Sequence, residues 1–171
     1  RIIQTRVDDS VVRVFNNKQM LIRRSRGYAP SPVLLKGDLI SDIPVLACGP
    51  ELKNTFCMTK GQKAFLSQHI GDLENMAVNN AYKNSINLFK RLFTIEPKLI
   101  ACDMHPEYFS TKFAKSYAQD NDLPLIQVQH HHAHIASVMA EHDLKGDVIG
   151  VSLDGTGFGD DGRIWGGEFF I

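Results

Sequence analysis

The chain has 171 residues, of which 43% are hydrophobic, and its 19 basic residues balance its 19 acidic ones. This size is sufficient for one domain, or for one domain and part of another, while a neutral chain has no overall field that would attract nucleic acid. The apolar runs are far shorter than the ~20 residues that cross a bilayer, so we expect a cytoplasmic protein with no membrane partner.

The first 37 residues predict a short β-rich segment. VVRVF and QMLIRR have strand composition and flank the turn-prone NNK, and the basic coil RRSRGYAPSP follows. Such a segment is below the ~40 residues at which a domain usually folds without disulfides or metals. We therefore expect residues 1–37 to end a preceding domain, residues 38–43 to be a linker, and the chain, which begins without Met, to be part of a longer protein.

From residue 44 the pattern changes to a regular α/β order. IPVLACG, LKNTFCMT and KAFLSQ predict three strands, and the apolar spacing of residues 72–93 predicts a long helix with Asp72 as its N-cap. PKLIACD and PLIQVQ follow as strands, each leading to a helix, YFSTKFAKSYAQD and HHAHIASVMAEH. The resulting order, βββαβαβα, describes a ribonuclease-H-like unit.

Two further strands, DVIGVSLDG and RIWGGEFF, flank the glycine-rich TGFGDDG and indicate that a second unit of the same kind begins there. Two such units in tandem form the fold of actin, sugar kinases and heat-shock ATPases, the ASKHA fold. We therefore predict an α/β protein in which residues 44–171 contain one full unit and the opening strands of a second.

The cysteines and histidines differ in what they indicate. Cys48, Cys57 and Cys102 are widely spaced in strand-like contexts, so we expect buried thiols and not a disulfide framework or a metal site. Five of the seven histidines, in contrast, lie in VQHHHAHIASVMAEH, residues 128–142. This cluster follows a predicted strand and continues into a predicted helix, so it is part of a fold and not a purification tag.

A helix that begins near His130 places His130 and His134 one turn apart on one face, the spacing that lets two imidazoles bind one metal ion. The preceding strand puts the pair at the carboxyl edge of a parallel sheet, where open α/β folds bind ligands. A third ligand must then come from elsewhere in the fold. The alternative is that both rings cap and pack the helix. His131 and His132 point elsewhere, and His131 is a catalytic candidate whose alternatives are a supporting role or solvation.

The segment DGTGFGDDG, residues 154–162, is the second candidate site. Asp154 at a strand end can hold Mg²⁺ or orient a polar substrate group, so we treat it as catalytic. Gly155, Thr156 and Gly157 are candidates for phosphate binding, because glycine lets backbone N–H groups approach phosphate oxygens. A glycine-rich β-hairpin is the alternative explanation of the same residues.

Three weaker candidates complete the set. In GPELKNT, the equivalent turn of the first unit, Lys53, Asn54 and Thr55 offer a cation and hydrogen-bond donors to phosphate, with strand-edge solvation as the alternative. The basic segment RRSRGYAP, with Arg13 upstream, suits an anionic ligand or is a solvated linker. Two further pairs combine a histidine with a carboxylate: His69 with Asp72 in SQHIGD, and His105 with Asp103 in CDMHPE. Each pair fits acid–base chemistry or a structural cap.

The motifs taken together closely resemble one family, the HypF carbamoyltransferases of nickel–iron hydrogenase maturation. The resemblance extends over essentially the whole chain and is carried by VDDSVVR, RRSRGYAP, ELKNTFC, FLSQHIGDLEN, ACDMHPEY, QHHHAHIASVMAEH and DGTGFGDDGRIWGGEF. It implies that residues 1–37 end a YrdC-like domain and that residues 44–171 form the N-terminal part of a Kae1-like domain.

The resemblance also implies a reaction. Carbamoyl phosphate is hydrolysed to carbamate, ATP with Mg²⁺ converts the carbamate to carbamoyl-adenylate, and the carbamoyl group passes to the C-terminal cysteine of the partner protein HypE for cyanide ligand synthesis. His130 and His134 then bind a divalent metal, zinc or iron, and DGTGFG contacts the nucleotide or carbamoyl-adenylate. Ser10, Arg13 and Arg26 belong to the adenylate-forming site.

The resemblance places the adenine pocket and the carboxylate metal ligand outside these residues, so we expect the chain alone to be inactive. Three other functions share some of these features. They are a tRNA threonylcarbamoyl transferase of the same superfamily, a small-molecule O-carbamoyltransferase, and a non-catalytic metal-binding module.

Overall fold

The computed structural model describes residues 3–171 and begins with an antiparallel hairpin of two exposed strands, β1 (Val11–Phe15) and β2 (Lys18–Arg23). Asn16 and Asn17 form its turn with φ of 48° and 59°, a left-handed conformation that asparagine tolerates better than most residues. The two strands predicted before residue 37 are therefore confirmed.

A six-stranded mixed sheet forms the centre of the chain. Its strands are β3 (Val33–Leu34), β4 (Val45–Ala47), β5 (Cys57–Lys60), β6 (Lys63–Leu66), β7 (Leu99–Asp103) and β8 (Leu125–Val128). The order across the sheet is β3-β6-β5-β4-β7-β8, with β4, β7 and β8 parallel and the other pairs antiparallel. The predicted meander of three strands followed by parallel strands is thus confirmed.

Strand β3 is an addition to that prediction. Val33 pairs with Ala64, so a segment that the sequence assigned to the preceding domain supplies the edge strand of the main sheet. The predicted linker contributes the 3-10 turn Gly37–Leu39 and a bridge between Ser41 and Gly61. The N-terminal segment is therefore joined to the sheet by backbone hydrogen bonds.

Three helices lie at the predicted places: α1 (Met76–Phe93), α2 (Phe109–Asp120) and α3 (His130–His142). The predicted cap of α1 is wrong, because Asn75 is the N-cap and accepts from the Ala77 N–H, whereas Asp72 accepts from the Glu74 N–H one turn earlier. Within residues 3–171, no helix has the length and apolar character that crossing a membrane requires.

The core lies between α1, α2 and the central strands. Leu46, Met58 and Ile100 of β4, β5 and β7 are fully buried, and α1 presents Tyr82, Ser85, Ile86 and Phe89 to them at the i, i+3, i+4, i+7 spacing of one helix face. The rings of Tyr82 and Phe89 meet Phe56 edge to face, at centroid distances of 5.9 and 5.0 Å. Met76 and Leu92, which the apolar pattern also includes, are exposed.

The last 22 residues form two short antiparallel pairs, β9 (Gly150–Ser152) with β12 (Glu168–Phe170), and β10 (Gly157–Phe158) with β11 (Ile164–Trp165). The glycine-rich segment therefore contains a strand, and the predicted strand RIWGGEFF is divided at its two glycines. Residues 154–165, which contain β10, β11 and the glycine-rich segment, are called the glycine hairpin. Helix α3 packs against β9 and β10, which brings this hairpin to the start of the helix.

Candidate metal centre

Three strand ends meet at the start of α3. Strands β7 and β8 are parallel neighbours with Asp103 opposite Val128, and α3 begins two residues after Val128. Asp154 follows the end of β9. The N-cap of α3 is Gln129, whose side-chain oxygen accepts from the His132 N–H at 2.9 Å. The fold thus gathers side chains from the carboxyl edge of the central sheet and from the end of β9, which lies in a separate sheet, around the first turn of a helix.

The central feature of this edge is the convergence of two imidazoles on one carboxylate. Nε2 of His130 lies 3.0 Å from Oδ2 of Asp154, and Nε2 of His134 lies 3.2 Å from the same oxygen. The two rings are 4.9 Å apart between centroids, as expected for residues one helical turn apart. The predicted metal-binding pair and the predicted carboxylate Asp154 therefore form one group.

The environment of this group stabilises charge. The hydrogen bond to Asp103, Nδ1 to Oδ2 at 2.7 Å, raises the pKa of His130 although partial burial opposes it. Burial opposes ionisation of Asp154, but the Gly155 N–H and the two imidazoles together hold the pKa of its carboxyl below the usual value. The Asp154 carboxyl is therefore ionised at neutral pH.

This group can hold a divalent metal ion. One ligand atom from each of His130, His134 and Asp154 lies within 4.8 Å of the other two. Two imidazoles and a carboxylate suit zinc and iron, and three protein ligands leave a position for water or substrate. Asp154, in the segment that follows β9, offers a carboxylate beside the pair within this chain, and the further carboxylate ligand expected outside these residues stays a prediction.

His131 is buried against Gly157 and does not face the space beside His130, His134 and Asp154. Its side chain is fully buried, and Nε2 has no hydrogen-bond partner within the described part of the chain. A Cβ atom on Gly157 would lie 2.6 Å from Cε1 of His131, closer than real contacts allow. The ring therefore packs against the glycine hairpin and supports it. Direct contact between this ring and a substrate would require the hairpin to move.

The glycines of the hairpin differ in how much space surrounds them. A Cβ on Gly159 would enter the ring of Trp165, whose indole N–H donates to Asp161 at 3.0 Å. Gly155 faces open space, and Thr156 beside it is exposed. Packing thus explains Gly157 and Gly159, whereas the backbone of residues 155–156 is accessible to a ligand.

The predicted phosphate-binding turn of the first unit is organised around Asn54. This side chain is fully buried, and its amide donates to the carbonyls of Cys48 at 3.0 Å and Pro50 at 2.6 Å. Lys53 is exposed with a φ of 50°, and Thr55 is half-buried. Of the three candidates, Asn54 has its amide committed to holding the turn, while the Lys53 ammonium faces solvent.

Ser10 and Arg26 lie together in the N-terminal segment. The Ser10 hydroxyl donates to the Arg26 carbonyl at 2.9 Å and accepts from the Ser25 N–H at 2.8 Å. The Arg26 guanidinium is exposed and pairs with Asp9 at 3.5 Å, and Arg13 is exposed on β1. The proximity of Ser10 and Arg26 agrees with a shared site, whose function stays a prediction.

Two features of this edge were not predicted. Glu51, in the turn after β4, accepts from the Phe109 N–H at 2.7 Å and so caps α2, whose formal N-cap Tyr108 makes no side-chain cap. His105 stacks on Tyr108 at 4.1 Å and meets Phe158 of the glycine hairpin at 5.4 Å. The contact of His105 with Tyr108 is local, but those of Glu51 with Phe109 and of His105 with Phe158 join distant parts of the chain that only the order of the strands brings together. The other predicted pair, His69 and Asp72, lines a separate cavity.

Comparison with known proteins gives matches of one kind. The family model described as the HypF Kae1-like domain matches residues 41–141. A curated relative, "Carbamoyltransferase HypF2" of Cupriavidus necator, is 46% identical over 100% of this chain and 21% of its own length. "Carbamoyltransferase HypF" of Rhizobium leguminosarum bv. viciae is 44% identical over 100% of this chain and 22% of its own.

Solved structures agree with these matches. The crystal structure of full-length HypF in the phosphate- and nucleotide-bound form is 53% identical, with a TM-score of 0.89 over 96% of this chain and 21% of that one. The structure of T. kodakarensis HypF is 44% identical, with a TM-score of 0.86 over 96% of this chain and 21% of that one. The chain thus spans about a fifth of the length of these proteins.

Proposed function

Because the chain belongs to the HypF family of carbamoyltransferases and matches its Kae1-like domain over residues 41–141, we propose that it forms the metal-binding half of a carbamoyl-transfer site. The observation that carries this proposal is the convergence of His130 and His134 on Asp154 beside an accessible hairpin backbone. The likeness in fold to a phosphate- and nucleotide-bound HypF supports it.

The proposed reaction begins with carbamoyl phosphate, whose hydrolysis gives carbamate. ATP with Mg²⁺ then converts the carbamate into carbamoyl-adenylate and releases pyrophosphate. In the last step the C-terminal cysteine thiolate of the partner HypE attacks the carbamoyl carbon, a C–S bond forms, and the C–O bond to AMP breaks. The thiocarboxamide is the precursor of a cyanide ligand for the hydrogenase.

Carbamoyl-adenylate, a mixed anhydride, needs shielding from water and groups that bind its oxygens, and this chain can supply such groups. Carbamoyl-adenylate hydrolyses readily, so it has to be made and consumed where water is excluded. A divalent metal on His130, His134 and Asp154 would polarise a carbamoyl or phosphate oxygen in the transfer step. The Gly155 N–H donates to Asp154 and its missing side chain leaves open space, so the exposed Thr156 offers its backbone N–H to the nucleotide. His131 holds Gly157 and the rest of the hairpin in position.

The remaining candidates have narrower proposed functions. Lys53 and Thr55 contact phosphate from the neighbouring turn, which the buried Asn54 keeps in shape. Ser10, Arg13 and Arg26 belong to the adenylate-forming site of a YrdC-like domain that ends near residue 37, before the linker at 38–43 and the Kae1-like part at 44–171. We place the protein in the cytoplasm, with no nucleic-acid or membrane partner.

The test is transfer of labelled carbamoyl from carbamoyl phosphate to HypE by the intact protein, with bound metal measured in parallel. We expect His130→Ala and His134→Ala each to lower both transfer and metal content, the rate by about a hundredfold or more, since loss of a residue that only supports a ligand already costs 10–100-fold. The matched control is His132→Ala, because His132 is an exposed imidazole of the same helix turn that faces away from Asp154 and stacks on Phe170.

Four outcomes would contradict the proposal. Equal transfer rates in all three variants would remove the distinction among these imidazoles. Modification of tRNA, with no transfer to HypE, would identify a threonylcarbamoyl transferase, and transfer to a small hydroxylated acceptor would identify an O-carbamoyltransferase. Metal retention with no binding of ATP or carbamoyl phosphate would indicate a non-catalytic metal-binding module.

A further inference from the structure

We infer that Asp103 is a positioning residue that selects the metal-binding tautomer of His130, an inference that rests on the proposed metal site. Oδ2 of Asp103 lies 2.7 Å from Nδ1 of His130, and the two side chains are only 6% and 15% exposed. The aspartate is the last residue of β7, in the CDMHPEY segment, 27 residues before the histidine that it contacts.

The orientation of the Asp103 carboxylate is set by its surroundings. Oδ1 accepts from the backbone N–H of His105 at 2.8 Å, which leaves Oδ2 for His130. The Asp103 carbonyl accepts from the Thr111 hydroxyl at 3.1 Å, and the residue pairs with Val128 in the sheet. Each carboxylate oxygen therefore has one assigned partner, and the group cannot turn without breaking a hydrogen bond.

This arrangement determines which nitrogen of His130 carries the hydrogen. An ionised carboxylate only accepts hydrogen bonds, so the nitrogen that faces Asp103 has to donate. A neutral imidazole has one N–H, and placing it at Nδ1 leaves the lone pair on Nε2. Nε2 is the atom that faces Asp154 and His134, and a metal binds only a nitrogen with a free lone pair.

Asp154 competes with Asp103 for the same hydrogen, and the geometry decides the outcome. The contact of Nε2 with Asp154 is longer, 3.0 Å, and that carboxylate is 39% exposed, so water weakens the interaction. The contact of Nδ1 with Asp103 is 2.7 Å and almost fully shielded, and hydrogen bonds are stronger in a low-dielectric environment. The tautomer with hydrogen on Nδ1 is therefore favoured.

The change Asp103→Asn reverses this preference with little change in volume. The His105 N–H needs an acceptor, so the amide oxygen has to take the place of Oδ1 and the NH₂ group the place of Oδ2. The NH₂ group then donates to Nδ1 of His130, and the ring hydrogen moves to Nε2. Metal binding would have to remove that hydrogen or break the new bond, so we expect zinc affinity to fall about 10- to 100-fold.

The experiment uses the intact protein with zinc as the probe. Zinc affinity is measured by competition with a chelating dye for wild type, Asp103→Asn and Glu107→Gln. Glu107→Gln is the control, because the Glu107 carboxylate belongs to the same CDMHPEY segment but is 74% exposed and pairs with Lys112, not with His130. Long-range ¹H–¹⁵N NMR of the metal-free proteins at alkaline pH, where imidazole is neutral, reports the tautomer of His130 independently of metal.

We expect hydrogen on Nδ1 in wild type and in Glu107→Gln, hydrogen on Nε2 in Asp103→Asn, and weaker zinc binding in Asp103→Asn alone. Unchanged zinc affinity in Asp103→Asn would overturn the inference, as would a wild-type His130 with its hydrogen on Nε2. The wild-type spectrum decides the matter even when the asparagine variant does not fold. Failure of wild type to bind zinc would instead remove the proposed metal site, while the tautomer measurement would still test Asp103.

Discussion

Replacing Gly157 by alanine is expected to destabilise the fold, because the new methyl group would enter the ring of His131. Three ring atoms, Cε1, Nε2 and Nδ1, would lie 2.6, 2.8 and 2.9 Å from the added carbon. The ring is fully buried, and its Nδ1 lies 3.4 Å from the side-chain nitrogen of Gln129, the N-cap of α3. Because of this contact, the ring cannot move away without disturbing the start of that helix.

The expected loss of stability is that of an overpacked core. Inserting one methylene into a well-packed interior typically costs about 1–3 kcal/mol. For a chain of this size, each kcal/mol corresponds to a fall of about 2–4 °C in Tm. Because the hairpin also carries Asp154, we expect zinc affinity to fall together with stability.

The assay is urea unfolding of wild type, Gly157→Ala and Gly155→Ala. Gly155 is the matched control, since nothing lies within 4 Å of its added Cβ, so we expect a change of only about ±0.5 kcal/mol. The double variant with His131→Ala should show a coupling of about 0.5–3 kcal/mol, because removal of the ring removes the clash. Equal stability of the two alanine variants, or simple additivity in the double variant, would refute the packing argument.

Two further predictions concern titratable groups near the core. Burial raises the pKa of Glu51 above its usual 4.5, although the backbone N–H groups at the start of α2 oppose the shift. Between pH 4.5 and the raised pKa, the folded state therefore binds more protons than the unfolded state. The unfolding free energy of wild type should fall relative to Glu51→Gln as pH rises from 4.5 through that raised pKa, and parallel pH profiles would contradict this. Burial also raises the pKa of the Cys48 thiol to about 12 and those of Cys57 and Cys102 to about 11. All three should resist alkylation near pH 8 until denaturant is added, and rapid labelling of the native protein, followed by mass spectrometry, would show that a thiol is exposed.

The element order and the pairing of His130 with His134 could be predicted from the sequence, because both depend on short-range periodicity. A helix places residues i and i+4 on one face whatever surrounds it, and strands are indicated by their own apolar runs. The same local information misplaced the cap of α1, since Asp72 and Asn75 are both acceptable N-caps and only the path of the chain after β6 selects one.

The composition of the candidate metal centre was decided by the tertiary structure. His130 meets Asp103 and Asp154, which lie 27 and 24 residues away in sequence, because β7 and β8 are parallel neighbours and α3 packs against β9 and β10. Strand order and register depend on long-range packing, and no local pattern encodes them. The same reason explains Gly157: its sequence context suggests a phosphate loop, but the absence of a side chain there is required by the buried ring of His131.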